Sequence, residues 1–207
     1  MQKLNKDFYL QKDVAFIAKA LLGKIIVTKF NKQFTAARIV ETEAYAGIVD
    51  KASHAWNGRR TQRTEIMFGE GGTAYVYLCY GIHHMFNIVT NELNVPDAVL
   101  IRGVQPLEGI DIMLQRFNRS QQDTAIGRGP GNVGKALGIF TMHSGASLSG
   151  RNFFIAGDGT TYDEVMVSKR IGVDYAGAHA QWLYRFFVKG HPQVTKHNFN
   201  KTAVQLL

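Results

Sequence analysis

Thr73-Ala-Tyr-Val-Tyr-Leu-Cys-Tyr-Gly-Ile-His-His-Met-Phe-Asn-Ile-Val-Thr90 reads as two β-strands, residues 73–80 and 82–90, that meet around Gly81. Both halves are rich in aromatic and β-branched residues, and the glycine between them suits a tight turn, so the stretch predicts a β-hairpin. Working outward, residues 24–28, 36–44, 98–104, 153–155 and 184–188 also read as strands. Residues 13–22 carry helical apolar spacing with Gly23 as a stop. Residues 106–117 predict a second helix, with Pro106 in its first turn and Glu108 and Asp111 near its positive end. Between them, residues 47–63 are polar and read as a surface loop. Strands outnumber helices and some neighbours are hairpin-linked, which predicts an α+β fold around a mostly antiparallel sheet, with one domain over residues 1–207.

The 207 residues are 45% hydrophobic, enough to bury a substantial core, which excludes disordered and fibrous classes. No long apolar run suggests a membrane span, and Met1-Gln-Lys-Leu-Asn-Lys-Asp7 does not resemble a signal peptide. The expectation is an intracellular protein with no membrane partner, in the cytoplasm or nucleoid if the source is bacterial. A lone Cys79 excludes an internal disulfide framework and a Cys-x-x-Cys zinc site. The net charge of +8 suits an anionic partner, nucleic acid before acidic membrane.

Candidate chemistry is concentrated in Arg38-Ile-Val-Glu-Thr-Glu-Ala-Tyr45, where Glu41 and Glu43 sit at i and i+2 on an otherwise apolar strand. Removing an unpaired carboxylate from water is costly, so such a pair marks a candidate site. Strict alternation puts Ile39, Glu41, Glu43 and Tyr45 on one face and Arg38, Val40, Thr42 and Ala44 on the other. Two carboxylates on one face can divide labour, one activating water while the other orients a partner. A solvated face with salt bridges to Arg38 or a neighbour fits the same pattern. His54 and the tyrosines that follow favour a site. Tyr75 and Tyr77 share a strand face and either fill a core or stack on bases, whereas Tyr80 beside Gly81 suits a wedge at a hairpin tip.

Other signals are weaker. Gly129-Pro-Gly-Asn-Val-Gly-Lys135 matches part of a nucleotide phosphate loop, but Ala136 replaces the magnesium-binding Ser or Thr and no apolar strand precedes it. It reads as a turn and helix N-terminus offering N–H groups to a DNA phosphate, or as a plain turn. Arg59, Arg60, Arg63, Arg128 and Lys135 are candidate phosphate contacts or solvated charges. His83 and His84 point to opposite strand faces with no ligand beside them, so no metal and no cofactor is expected. Trp56 either flanks His54 or packs. The H-x-E and P-C-x-x-C of zinc deaminases are absent.

Ordered blocks carry a resemblance over residues 8–191. They include Arg38-Ile-Val-Glu-Thr-Glu-Ala-Tyr45, Ala52-Ser-His54, Gly72-Thr-Ala-Tyr-Val-Tyr77, Tyr80-Gly81, Asn87-Ile88, Val99-Leu-Ile-Arg102, Arg170-Ile-Gly-Val173 and Arg185-Phe-Phe-Val-Lys-Gly190. The sequence resembles the alkyladenine (3-methyladenine) DNA glycosylase family of the mammalian type. That resemblance implies a single α+β domain with a curved, barrel-like open sheet and a protruding hairpin. It implies removal of damaged purines, of the 3-methyladenine, 7-methylguanine, hypoxanthine and ethenoadenine class, from duplex DNA by a monomer without strand scission.

Residue by residue, it makes Glu43 the base that activates water. Arg102 and the backbone carbonyl of Ile171 would face that water. Tyr45, His54 and Tyr77 would be walls of the base pocket, Asn87 a barrier to guanine, and Tyr80 the residue that fills the duplex. Glu41 receives no role, and Tyr75 returns to the core. The alternative is a non-catalytic protein that recognises distorted DNA with the same wedge and basic face.

Overall fold

The computed structural model describes residues 1–121 and 123–206. Its elements in chain order are β1 (Gln2–Lys3), α1 (Val14–Ala20), β2 (Ile25–Phe30), β3 (Gln33–Tyr45), β4 (Thr73–Cys79), β5 (His83–Thr90) and β6 (Asp97–Glu108). They continue with α2 (Ile110–Arg116), α3 (Pro130–Leu137), β7 (Phe153–Gly157), β8 (Val165–Ser168), β9 (Arg185–Val188) and β10 (Val204–Gln205). The strands form one antiparallel, unclosed sheet in the order β1-β7-β2-β3-β6-β5-β4, with β9, β8 and β10 branching from β3. This is the expected α+β domain. No helix among the described residues is long and apolar enough to cross a membrane.

β3 organises the sheet. One of its edges is taken by β6, and the other is shared, by β2 along residues 33–38 and by β9 along residues 41–43. The sheet therefore forks at the acidic segment. α1 starts at Asp13, whose carboxylate accepts the N–H groups of Ala15 at 2.8 Å and Phe16 at 3.2 Å. Such a cap is worth about 1 kcal/mol. Ile17 of α1, Leu21 at its C-terminal cap, Ile101 of β6, Phe86 of β5 and Val133 of α3 join one buried core on this side of the sheet.

The alternation along β3 is broken. Ala37 and Ile39 belong to that main core, and so does Ala44, while Thr42 donates its hydroxyl to the carbonyl of Ala18 at 2.8 Å. Val40 packs on the opposite side, with Phe187 and Val194. Register shifts against β6 on both sides of Glu41 mark a β-bulge, which changes the phase of the pleat. Ile39 therefore does not share the face of Glu41, Glu43 and Tyr45, contrary to strict alternation. Arg38 does not pair with either glutamate; its guanidinium is bound by Asp158 at 2.8 Å.

The helix predicted over residues 106–117 is also corrected. Pro106 lies in β6 opposite Ala37, beside a second register shift at Ala36/Ala37, where a missing N–H is tolerated. The helix begins only at Ile110, after Gly109 with φ 70°, where a Cβ would meet the carbonyl oxygen of Phe34 at 2.1 Å. Asp111 does lie in its first turn, but Glu108 is the last residue of the strand.

The hairpin forms as expected. Cys79 pairs with His83 across a Tyr80-Gly81-Ile82 loop, with φ 51° at Tyr80 and φ 73° at Gly81. Its second strand, β5, is seated on α3 at two glycines. A Cβ on Gly131 would lie 2.6 Å from His83 Nδ1, and one on Gly134 would lie 2.4 Å from the His84 carbonyl oxygen. The polar loop over residues 47–63 is exposed from Trp56 onward, but Ala52, Ser53 and Ala55 are buried.

Candidate active site

A cavity of about 350 Å³ opens between the hairpin strands, the C-terminal half of β3, the buried part of the 47–63 loop and residues 171–175. Tyr45, His54, Tyr77, Asn87, Arg102 and Ile171 all line it, and Tyr80 stands at its rim. Tyr80 is 90% exposed, flanked in the hairpin tip by exposed Leu78 and Ile82. A non-glycine residue in left-handed backbone costs about 1–2 kcal/mol. This strain and exposure together favour a functional side chain.

Glu43 lies beneath the cavity, wholly buried. Its Oε2 accepts the Tyr45 hydroxyl at 2.8 Å and Arg102 Nη1 at 3.3 Å, and its Oε1 accepts the Ile171 N–H at 2.8 Å. A carboxylate oxygen accepts about two hydrogen bonds. Oε2 is therefore filled, and Oε1 keeps one lone-pair direction. The backbone group of Ile171 that meets the carboxylate is its N–H, an arrangement the expectation of a carbonyl there did not contain. Burial first, then the Glu43 carboxylate, hold the Tyr45 hydroxyl protonated well above its ordinary range, so it stays a donor.

The walls are fixed by contacts that sequence reasoning missed. Tyr75, assigned to the core, is buried, but it also lines the cavity, and its hydroxyl meets His54 Nδ1 at 2.8 Å. His54 and Tyr77 stand edge to face with centroids 4.6 Å apart. The Arg170 guanidinium lies 4.7 Å from the Tyr45 ring centroid and is itself paired with buried Asp50. Asn87 Nδ2 donates to the carbonyls of Tyr75 and Met85, both at 3.2 Å. Arg170 was visible in the sequence only as part of a matched block, and its partner Asp50 is 120 residues away.

The basic candidates separate. Arg59 and Arg63 are exposed and close enough to His54 to act on its titration. Arg60 is engaged by Glu65 at 2.6 Å and lies over the Phe68 ring. Arg128 contacts Thr124 and bridges to Gly103. Lys135 is in the last turn of α3, over the Phe117 ring, whereas Pro130 at the other end of that helix lines the cavity. Trp56 is 43% exposed with Lys51 over its ring, outside the cavity wall. His84 Nδ1 accepts the Thr141 N–H while His83 packs at Gly131, so the two imidazoles serve different contacts. Among the described residues no group of three His, Cys, Asp or Glu side chains could hold a metal ion.

Burial, then the charges of Arg63 and Arg59, lower the His54 pKa from its ordinary 6.5 to about 4. The imidazole is therefore neutral at physiological pH. Between pH 6.5 and 4 the unfolded chain takes up a proton that native His54 refuses, so this residue's contribution to stability falls as the solution is acidified across that window. NMR of the ring protons should place its titration near 4, and Arg63→Gln should move it upward. A native His54 titrating near 6.5 would contradict this environment.

The family model for methylpurine-DNA glycosylase matches residues 7–192. A protein of Clostridium novyi (strain NT) named "Putative 3-methyladenine DNA glycosylase" is 42% identical over 203 residues, covering 95% of this chain and all of the relative. A protein of the same name from Desulfitobacterium hafniense (strain Y51) is 39% identical over 202 residues, covering 94% of this chain and 99% of the relative. Both relatives are bacterial. With near full-length matches and a cavity built from the residues the blocks share, the chain belongs to the methylpurine-DNA glycosylase family, whose substrate is DNA.

Proposed function

We propose that this protein acts as a monomer inside the cell to flip alkylated and deaminated purines out of duplex DNA and hydrolyse their N-glycosidic bond, leaving an abasic site without strand scission. Glu43 carries the reading. It is a buried carboxylate held by three donors that themselves line the aromatic cavity, Tyr45, Arg102 and Ile171, and one lone-pair direction of Oε1 is left without a donor. A water bound to that oxygen gives up a proton to Glu43 as its oxygen bonds to C1′. The electrons of the broken bond leave with the purine, and the oxocarbenium-like sugar is stabilised by the carboxylate and the DNA phosphates. No amine nucleophile takes part, so no Schiff base forms and the strand stays intact.

Alkylation makes a purine cationic, and the electron-rich faces of Tyr45 and Tyr77 attract it by about 0.5–2 kcal/mol per contact. A neutral His54 adds no repulsion. Hypoxanthine and ethenoadenine are held by stacking and by the backbone around His54, and Asn87 excludes guanine through its 2-amino group. Flipping costs a few kcal/mol, least for damaged or mispaired bases, and Tyr80 offsets part of that by filling the gap. Arg59, Arg63 and Arg128, with the N-terminus of α3, suit the flanking phosphates; Arg60 and Lys135 are the weaker candidates, given their present partners.

Duplexes bearing 3-methyladenine, 7-methylguanine, hypoxanthine or ethenoadenine, incubated with the protein and then split with alkali, test the reading. Alkali-labile sites at the lesion, with intact strands before alkali, are expected. Lesion binding with no abasic product under single-turnover conditions would instead identify a non-catalytic reader of distorted DNA.

A further inference from the structure

Glu41 is the second carboxylate of the acidic strand, and its surroundings differ from those of Glu43. It is wholly buried and saturated. Its Oε1 accepts Arg185 Nε at 2.7 Å and Arg102 Nε at 3.3 Å, and its Oε2 accepts the Thr195 N–H at 2.7 Å and the Thr195 hydroxyl at 2.8 Å. Four donors leave no lone pair for water. Glu41 therefore cannot share the proton-accepting role of Glu43.

Arg102 lies between the two carboxylates, giving Nε to Glu41 and Nη1 to Glu43. Its planar guanidinium cannot reorient toward one without leaving the other. On the far side of Glu41, Arg185 is bound in turn by Ser168, Asn200 and the carbonyl of Thr195. The cluster holds two carboxylates and two guanidiniums, so it is neutral as built. Glu41 shares the strand face of Glu43, and Gly103 opposite it lets it sit close, since a Cβ there would lie 3.0 Å from Glu41 Cβ.

We propose that Glu41 is a positioning residue: it clamps Arg102 at the orientation that meets Glu43, and through Thr195 and Arg185 it ties the C-terminal segment to the catalytic geometry. This rests on Glu43 being the base. Glu43 is also faced by Tyr45, Arg170, Tyr77 and Tyr175, all of which stay in place in the variants below.

The test compares Glu41→Gln, Arg185→Gln, Thr195→Val and Glu43→Gln by single-turnover excision of ethenoadenine, lesion-duplex affinity and thermal unfolding. Glu41→Gln should keep its affinity and lose about 100-fold in rate, the scale of a displaced catalytic group. Arg185→Gln should likewise slow excision at unchanged affinity, because Glu41 then draws Arg102 to itself and away from Glu43. Thr195→Val loses one hydroxyl bond and should slow excision by about 3–10-fold at unchanged affinity, which decides the matter if the buried variants do not fold.

A purely structural role predicts equal losses of affinity and rate, and either that pattern or wild-type rates in Glu41→Gln and Thr195→Val overturns the proposal. Wild-type excision by Glu43→Gln overturns the base assignment instead. An inactive Glu43→Gln beside a normal Glu41→Gln overturns only the positioning role.

Discussion

Glu43→Gln is expected to bind a lesion duplex at close to normal affinity and to excise it about 10³-fold more slowly, the scale of losing a general base. The amide keeps the shape of the side chain, and its oxygen can still accept from part of the set Tyr45, Arg102 and Ile171. It cannot accept a proton from water. One donor is left facing an NH₂ group, so the fold should lose about 1–3 kcal/mol, the cost of an unsatisfied buried partner. Single-turnover kinetics at saturating protein, with affinity measured on the same duplex, separate chemistry from binding. Near-normal excision would remove Glu43 from the mechanism and leave the saturated Glu41 with no open oxygen to replace it.

Tyr80→Ala should leave the fold intact and abolish discrimination. At 90% exposure the ring contributes almost nothing to the core. In the complex, an aromatic stacked on bases is worth about 1–3 kcal/mol, so affinity for a lesion duplex should drop roughly 5–150-fold while affinity for undamaged DNA changes little. Tyr80→Gly separates the side chain from the backbone. It should lose the same discrimination yet gain up to about 1 kcal/mol in denaturant unfolding, because the left-handed φ of 51° no longer opposes a Cβ. If lesion and undamaged affinities fall together in both variants, Tyr80 is a general DNA contact and not the residue that fills the gap.

The fold was legible where residues speak locally. Gly81 and the aromatic strands around it marked the hairpin, and Asp13 and Gly23 bracketed α1. Misreadings arose where tertiary pairing overrode a local signal. A proline before an amphipathic run usually opens a helix, but the pairing of Pro106 with Ala37 carried β6 four residues past the expected strand end at 104. The bulge beside Glu41 has no glycine on β3 itself; its only local sign is Gly103 on the partner strand, so alternation read along β3 placed Ile39 on the wrong face. β1, β8 and β10 span two to four residues, too few for a periodic pattern. At the site, types and spacing raised the glutamates and tyrosines as candidates, while their separate roles came from the family resemblance. Arg185 and Thr195, 144 and 154 residues from Glu41, could be joined to it only by folding the chain.

The seat of the hairpin on α3 decides which partner bends. His83 and His84 press against Gly131 and Gly134, where even a methyl group would not fit, and the hairpin is hydrogen-bonded along its length from Thr73–Val89 to Cys79–His83. A probe mounted this way has little give along its own axis. DNA, in contrast, kinks readily at soft base steps, and a lesion softens them further. On the proposed reading, in which Tyr80 enters the duplex, compliance resides in the nucleic acid, and the hairpin acts as a gauge of how easily each base pair yields.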